Sequence, residues 1–198
     1  MKKLKRLAVG QLNEFERLPR EEQGRLWGGY GSDGNCYFNC LEYLNRKYGC
    51  HPDWTYEDYA NDYVTGSGNP NDGWEGTHKD EGKDQGPIFV TFDENGHGKL
   101  YNETFQYLAN CFNTEGSQWT TLGSVAGFFN GQPTGSENGI IVGAYLTGTT
   151  QNGSTHCVIF TGYDSITQQY TYFDPTTQKT GTVPASMVLC AAKVTGCK

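Results

Sequence analysis

Three residues of this chain have the types and settings needed for nucleophilic catalysis. Cys36 follows the loop Gly31-Ser32-Asp33-Gly34-Asn35 and opens a segment of helical period. A helix N-terminus offers unpaired N–H groups and the positive end of the helix dipole, which favour a thiolate. His156 opens a run of β-branched and aromatic residues, HCVIFTGY, where an imidazole can serve as general base and acid. Asp174 ends the next such run in Tyr172-Phe173-Asp174-Pro175, placed to orient the imidazole and stabilise its charged form. Each residue also has a plain structural reading. Cys36 can sit in a disulfide, His156 can be a core histidine and Asp174 a turn residue.

Elements of two kinds must position these groups. Tyr37, Cys40, Leu41, Leu44 and Tyr48 recur at helical spacing, so residues 36–48 read as a half-buried helix ending at Gly49. Thr55 to Val64 reads as a second helix with Tyr56, Tyr59, Ala60 and Tyr63 inward, and Leu100–Phe112 and Leu122–Phe129 as further helices. Between them, residues 66–86 are rich in Gly, Asn and Asp and read as an exposed loop. The period then changes. Gly139–Leu146, His156–Tyr163, Tyr170–Phe173 and Val188–Val194 read as strands, with a turn at Asp164–Gln168. Helices first and an antiparallel sheet second predict an α+β fold in which the N-terminal helices pack on a C-terminal sheet.

The order of Cys on a helix, His on a strand and Asp on the next strand resembles papain-like cysteine enzymes. Residues Thr155–Asp164 together with Tyr172–Thr176 look like the His and Asp segments of the C39 family, the bacteriocin-processing peptidases. Cys36, with Leu41 five residues on, matches that family's nucleophile segment more loosely. The resemblance implies a papain-like fold and a Cys36-His156-Asp174 triad working through an acyl-enzyme. It departs at one position: the family carries a Gln six residues before the Cys, and here that residue is Tyr30. The string Asp33-Gly34-Asn35-Cys36 instead looks like the nucleophile loop of ovarian-tumour-type deubiquitinases. That likeness implies an oxyanion hole built from backbone amides, at Asp33 and Cys36.

Residues 1–29 read separately. Phe15 and Leu18 are set among charged residues, and Leu26 and Trp27 lead into Gly28-Gly29. The segment resembles the double-glycine leaders of exported bacterial peptides, with Gln23 at one position where another apolar residue is usual. The likeness implies cleavage after Gly29 by a peptidase-containing ABC exporter, which is the partner it predicts. The chain thus divides into a leader, 1–29, and a papain-like domain, 30–198. The structural alternative is a helix cap at Gly28 followed by a loop.

Charge supports the division. Residues 1–29 hold seven Lys/Arg and four Asp/Glu, whereas residues 30–198 hold eight and eighteen. An acidic body without a basic stripe excludes nucleic acid as a partner. No apolar run approaches the roughly 20 residues of a membrane span. No phosphate-binding glycine motif points to a nucleotide. Asp72, Glu75, Asp80, Glu81 and Asp84 read as a solvated acidic loop, and Trp54, Trp74 and Trp119 as core.

Seven cysteines fit one free thiol and three disulfides in an oxidising compartment, with several buried reduced cysteines as the alternative. Neither Cys36-x-x-x-Cys40 nor His51, His78 and His97 complete a metal-ligand set, so no metal or other cofactor is expected. The reading is an exported bacterial thiol hydrolase, a cysteine peptidase acting on a peptide or protein. Its alternatives are an acyltransferase or transglutaminase using the same triad, and a non-catalytic secreted effector or bacteriocin-like protein on the same scaffold.

Overall fold

A computed structural model describes residues 35–66, 74–76, 87, 89–92, 98–130, 138–147 and 154–198. The leader, with Gly28 and Gly29, lies outside the described residues, as do Asp33 and most of the Gly-rich loop.

Helix α1, Cys36–Tyr48, buries Tyr37, Cys40, Leu41 and Leu44 on one stripe, the spacing that 3.6 residues per turn requires. Gly49 closes it in the left-handed region at φ 74°, returning its N–H to Asn45 O. The buried Asn45 side chain then ties down the following turn, bonding the carbonyls of His51 and Trp54 and accepting from the His51 N–H at 2.6 Å. Helix α2, Tyr56–Thr65, starts with a capping box in which Asp58 accepts from the Thr55 N–H at 2.8 Å. It buries Tyr59 and Tyr63, while Tyr56 and Ala60 are partly covered. Its third buried residue, Asp62, accepts from Tyr107 Oη at 2.8 Å. Tyr107 belongs to α3, Asn102–Cys111.

Strands β1, Val90–Phe92, and β2, Gly98–Leu100, form a separate hairpin. The main sheet joins β3, Phe112–Thr121, β4, Ile140–Thr147, β5, Ser154–Asp164, β6, Gln169–Asp174, β7, Lys179–Pro184, and β8, Val188–Cys197. Its order is β3-β8-β4-β5-β6-β7 and every pairing is antiparallel. The architecture is α+β, with helices on an antiparallel sheet.

The sheet separates two cores because side chains alternate between its faces. Ala144, Cys157, Ile159, Cys190 and Ala192 face the helices together with Cys36, Cys40 and Leu41. Ile141, Val158, Phe160, Tyr170, Val188 and Ala191 form a second core on the other face. Trp119 is buried, and Trp54 and Trp74 pack against the first core. Among the described residues no helix is long and apolar enough to cross a membrane.

Three expectations need correction. Residues 122–129 form only a four-residue helix, Leu122–Val125, and a 3-10 turn, Ala126–Phe129. Gly123 and Gly127 weaken helix propensity there. Strands β3 and β7 are additional elements. Both lie at sheet edges, where polar residues blur the alternation.

The cysteines form one disulfide, Cys50–Cys197, not three. Cys36, Cys40, Cys111, Cys157 and Cys190 lie outside any disulfide and are buried in the helix-side core. The disulfide joins residues 147 apart, the turn after α1 to the end of β8. Opening it by Cys50→Ser is expected to cost about 5 kcal/mol through chain entropy. Urea unfolding of the wild-type and variant proteins measures this, and equal midpoints would contradict it.

Candidate functional site

Cys36 occupies the first helical position of α1, after Asn35. The Asn35 carbonyl accepts from the Asn39 N–H at 2.9 Å and from the Asn39 side chain at 3.0 Å, which fixes the start of the helix. The N–H groups of this first turn have no partner within the helix.

The β5–β6 ladder places Cys36 relative to the sheet. Its last pair at this end is Ile159↔Phe173. Two residues earlier, the Cys157 N–H donates to Cys36 Sγ at 3.4 Å. The sulfur thus takes the edge position that a longer β6 would have filled.

His156 is the neighbouring residue on β5 and shares a face with Asp174. Its Nε2 lies 3.1 Å from Asp174 Oδ2, leaving Nδ1 as the other ring nitrogen. The carboxylate is well supported. Oδ1 accepts from the Thr176 N–H at 2.9 Å, and Oδ2 from Thr177 Oγ1 at 2.8 Å. Burial pushes the Asp174 pKa up, but the bonds from Thr177, His156 and Thr176 outweigh it and hold it below the usual carboxylate value.

Of the predicted triad, the structure therefore brings His156 and Asp174 into contact. It seats Cys36 on the backbone one residue from His156. Among the described contacts no hydrogen bond joins Cys36 Sγ to the imidazole. Such bonds commonly tighten only when substrate is present.

The thiol itself departs from the expectation of a low pKa. Burial dominates and pushes Cys36 up to about 12; Cys157 and Asp174 add to the rise, and the amides of Cys157 and Tyr37 oppose it. The resting group is a neutral thiol, 4% exposed.

Around it lies a patch of further thiols. Cys40 hydrogen-bonds the Cys157 side chain, and Cys157 and Cys190 are both cross-strand partners of Ala144. No three His, Cys, Asp or Glu residues among those described are grouped to hold a metal ion. His51 stacks on Trp54.

Two residues beside the site were not identifiable from sequence. Tyr145 is the cross-strand partner of His156. The Tyr145 hydroxyl donates to that of Tyr172, on β6. Only strand register could have pointed to either, and residue types alone do not give register. Comparison of the chain with protein-family models, with curated proteins and with solved structures finds no match.

Proposed function

We propose that the chain is a papain-like thiol hydrolase, a cysteine peptidase resembling the C39 type, with Cys36 as nucleophile. The observation that carries this reading is the His156–Asp174 contact at 3.1 Å beside a free cysteine held on the Cys157 amide. Because burial keeps Cys36 protonated, His156 must take its proton as the sulfur attacks the substrate carbonyl. Asp174 stabilises the imidazolium that results. Backbone N–H groups at the start of α1, that of Cys36 included, are donors for the developing oxyanion. His156 then protonates the leaving amine, and water releases the acyl group from the sulfur. An amine in place of water would make the same machinery an acyltransferase.

Residues 1–29 are read as the double-glycine leader that hands the protein to an ABC exporter. The Cys50–Cys197 disulfide supports an extracytoplasmic destination, where such bonds persist.

A specific observation favours a second reading. A thiol only 4% exposed suits a non-catalytic secreted scaffold, in which Cys36 merely packs.

Iodoacetamide pulses at pH 7 without reductant, followed by peptide mapping, separate the two. Catalysis predicts that Cys36 reacts first among the five thiols, and at least about tenfold more slowly in His156→Ala. Equal reactivity in both proteins would sink the catalytic reading.

A further inference from the structure

We infer that Tyr145 is a positioning residue that holds the His156 imidazole in its working orientation; this rests on the catalytic reading above. The pairing of β4 with β5 sets Tyr145 directly opposite His156, so both side chains rise from the same face of the sheet. Their ring centroids are 5.7 Å apart with planes at 88°, an edge-to-face contact. Asp174 holds the imidazole through Nε2. Between the carboxylate and the tyrosine ring, the imidazole is restrained from turning, and Nδ1 remains the nitrogen available as base.

Tyr145 is itself held from two strands away. Its hydroxyl donates to Tyr172 Oη at 3.3 Å, and the two rings lie 5.4 Å apart. Strand β5 runs between them, with Val158 fully buried on the same face. Tyr172 in turn lies across β7, where its partner is Gly181. A Cβ at Gly181 would come within 2.6 Å of both Cζ and Oη of the Tyr172 ring, so the ring can lie there only over glycine. Gly181, Tyr172 and Tyr145 thus form a support spanning four strands, and it ends on the imidazole.

The contact works through ring shape, so phenylalanine can supply it and an aliphatic side chain cannot. The experiment compares Tyr145→Phe and Tyr145→Leu with the wild-type protein; leucine keeps an apolar filler so that the fold survives. Proteins labelled with ¹⁵N-histidine report the His156 tautomer by NMR, and the iodoacetamide rate of Cys36 reports its function.

The expected result for Tyr145→Leu is loss of the single Nε2-protonated pattern and a Cys36 rate reduced about 10- to 100-fold. Tyr145→Phe should keep the pattern and stay within about threefold of wild type, because the edge-to-face contact remains. An unchanged His156 pattern in Tyr145→Leu would overturn the inference, as would a Phe variant as impaired as the Leu variant. The NMR readout needs no turnover. A pattern that responds to Tyr145 in a protein with an unreactive Cys36 would therefore fault the catalytic reading and leave the orientation role standing.

Discussion

On the proposed mechanism, replacing Cys36 by alanine is expected to abolish peptide hydrolysis, by roughly 10⁴- to 10⁶-fold, while the protein still folds. The size follows from the division of labour. Without the sulfur there is no acyl-enzyme, and the His156–Asp174 pair has no proton to take. His156→Ala should lose a comparable amount, because a neutral thiol with a pKa pushed up to about 12 cannot ionise unaided at pH 7. The double variant should be no worse than either single one, since nucleophile and base act as a unit. Asp174→Asn should cost about 10⁴-fold by leaving the imidazole in the wrong tautomer. Turnover of a peptide library by the purified variants measures all four effects. Activity that survives Cys36→Ala would reject the triad and favour the non-catalytic scaffold.

The second large effect is alkaline unfolding. Burial raises the pKa of Cys36, Cys157 and Cys190 far enough that these three stay protonated in the folded protein where exposed thiols ionise, and it raises that of Cys40 as well. A group whose folded pKa is raised stabilises the fold fully below its unfolded value, near 8.5, and that stability is lost as pH climbs towards the folded value. Each of these three thiols withdraws about 1.4 kcal/mol per pH unit across this window, and the three together about 4 kcal/mol per unit. Against a total stability of about 5–15 kcal/mol, cooperative unfolding should set in near pH 10. The buried hydroxyls of Tyr37, Tyr59, Tyr63 and Tyr107 have raised pKa values too, and steepen the loss at higher pH. Urea midpoints at pH 7, 9 and 10 test this, with Cys190→Ala expected to remove about a third of the slope. A midpoint unchanged from pH 7 to 10 would show that the thiols are not buried as neutral groups.

Much of this architecture can be read from residue pattern, and the exceptions have physical causes. Helix α1 shows in the spacing of Tyr37, Cys40, Leu41 and Leu44 because one stripe of it is buried. Strands β4, β5, β6 and β8 show because their runs are apolar and branched. Strands β3 and β7 do not, since polar edge strands such as Lys179–Pro184 look like loop. The proximity of His156 and Asp174 follows from a short hairpin, which brings the chain back beside itself. The state of Cys36 does not follow from its place at a helix start, because desolvation is set by what covers the sulfur. Cysteine pairing is equally hidden. Cys50 and Cys197 meet across 147 residues, while Cys40 and Cys157 touch as thiols.

The strand order β3-β8-β4-β5-β6-β7 has a consequence for how the chain acquires its shape. Strand β8 follows every other strand in sequence, yet it lies between β3 and β4 and carries Cys190, Ala192 and Val194 into the helix-side core. A chain emerging N-terminus first, from a ribosome or through a narrow conduit, has β3 and β4 available with no strand to join them. Such long-range pairing is slow. Strands β4 to β7 can pair with one another first, but the joining of β3 to β4 must wait for residues 188–197, and Cys50 for Cys197. Closure of the sheet by its last strand is therefore a late event in this order of appearance.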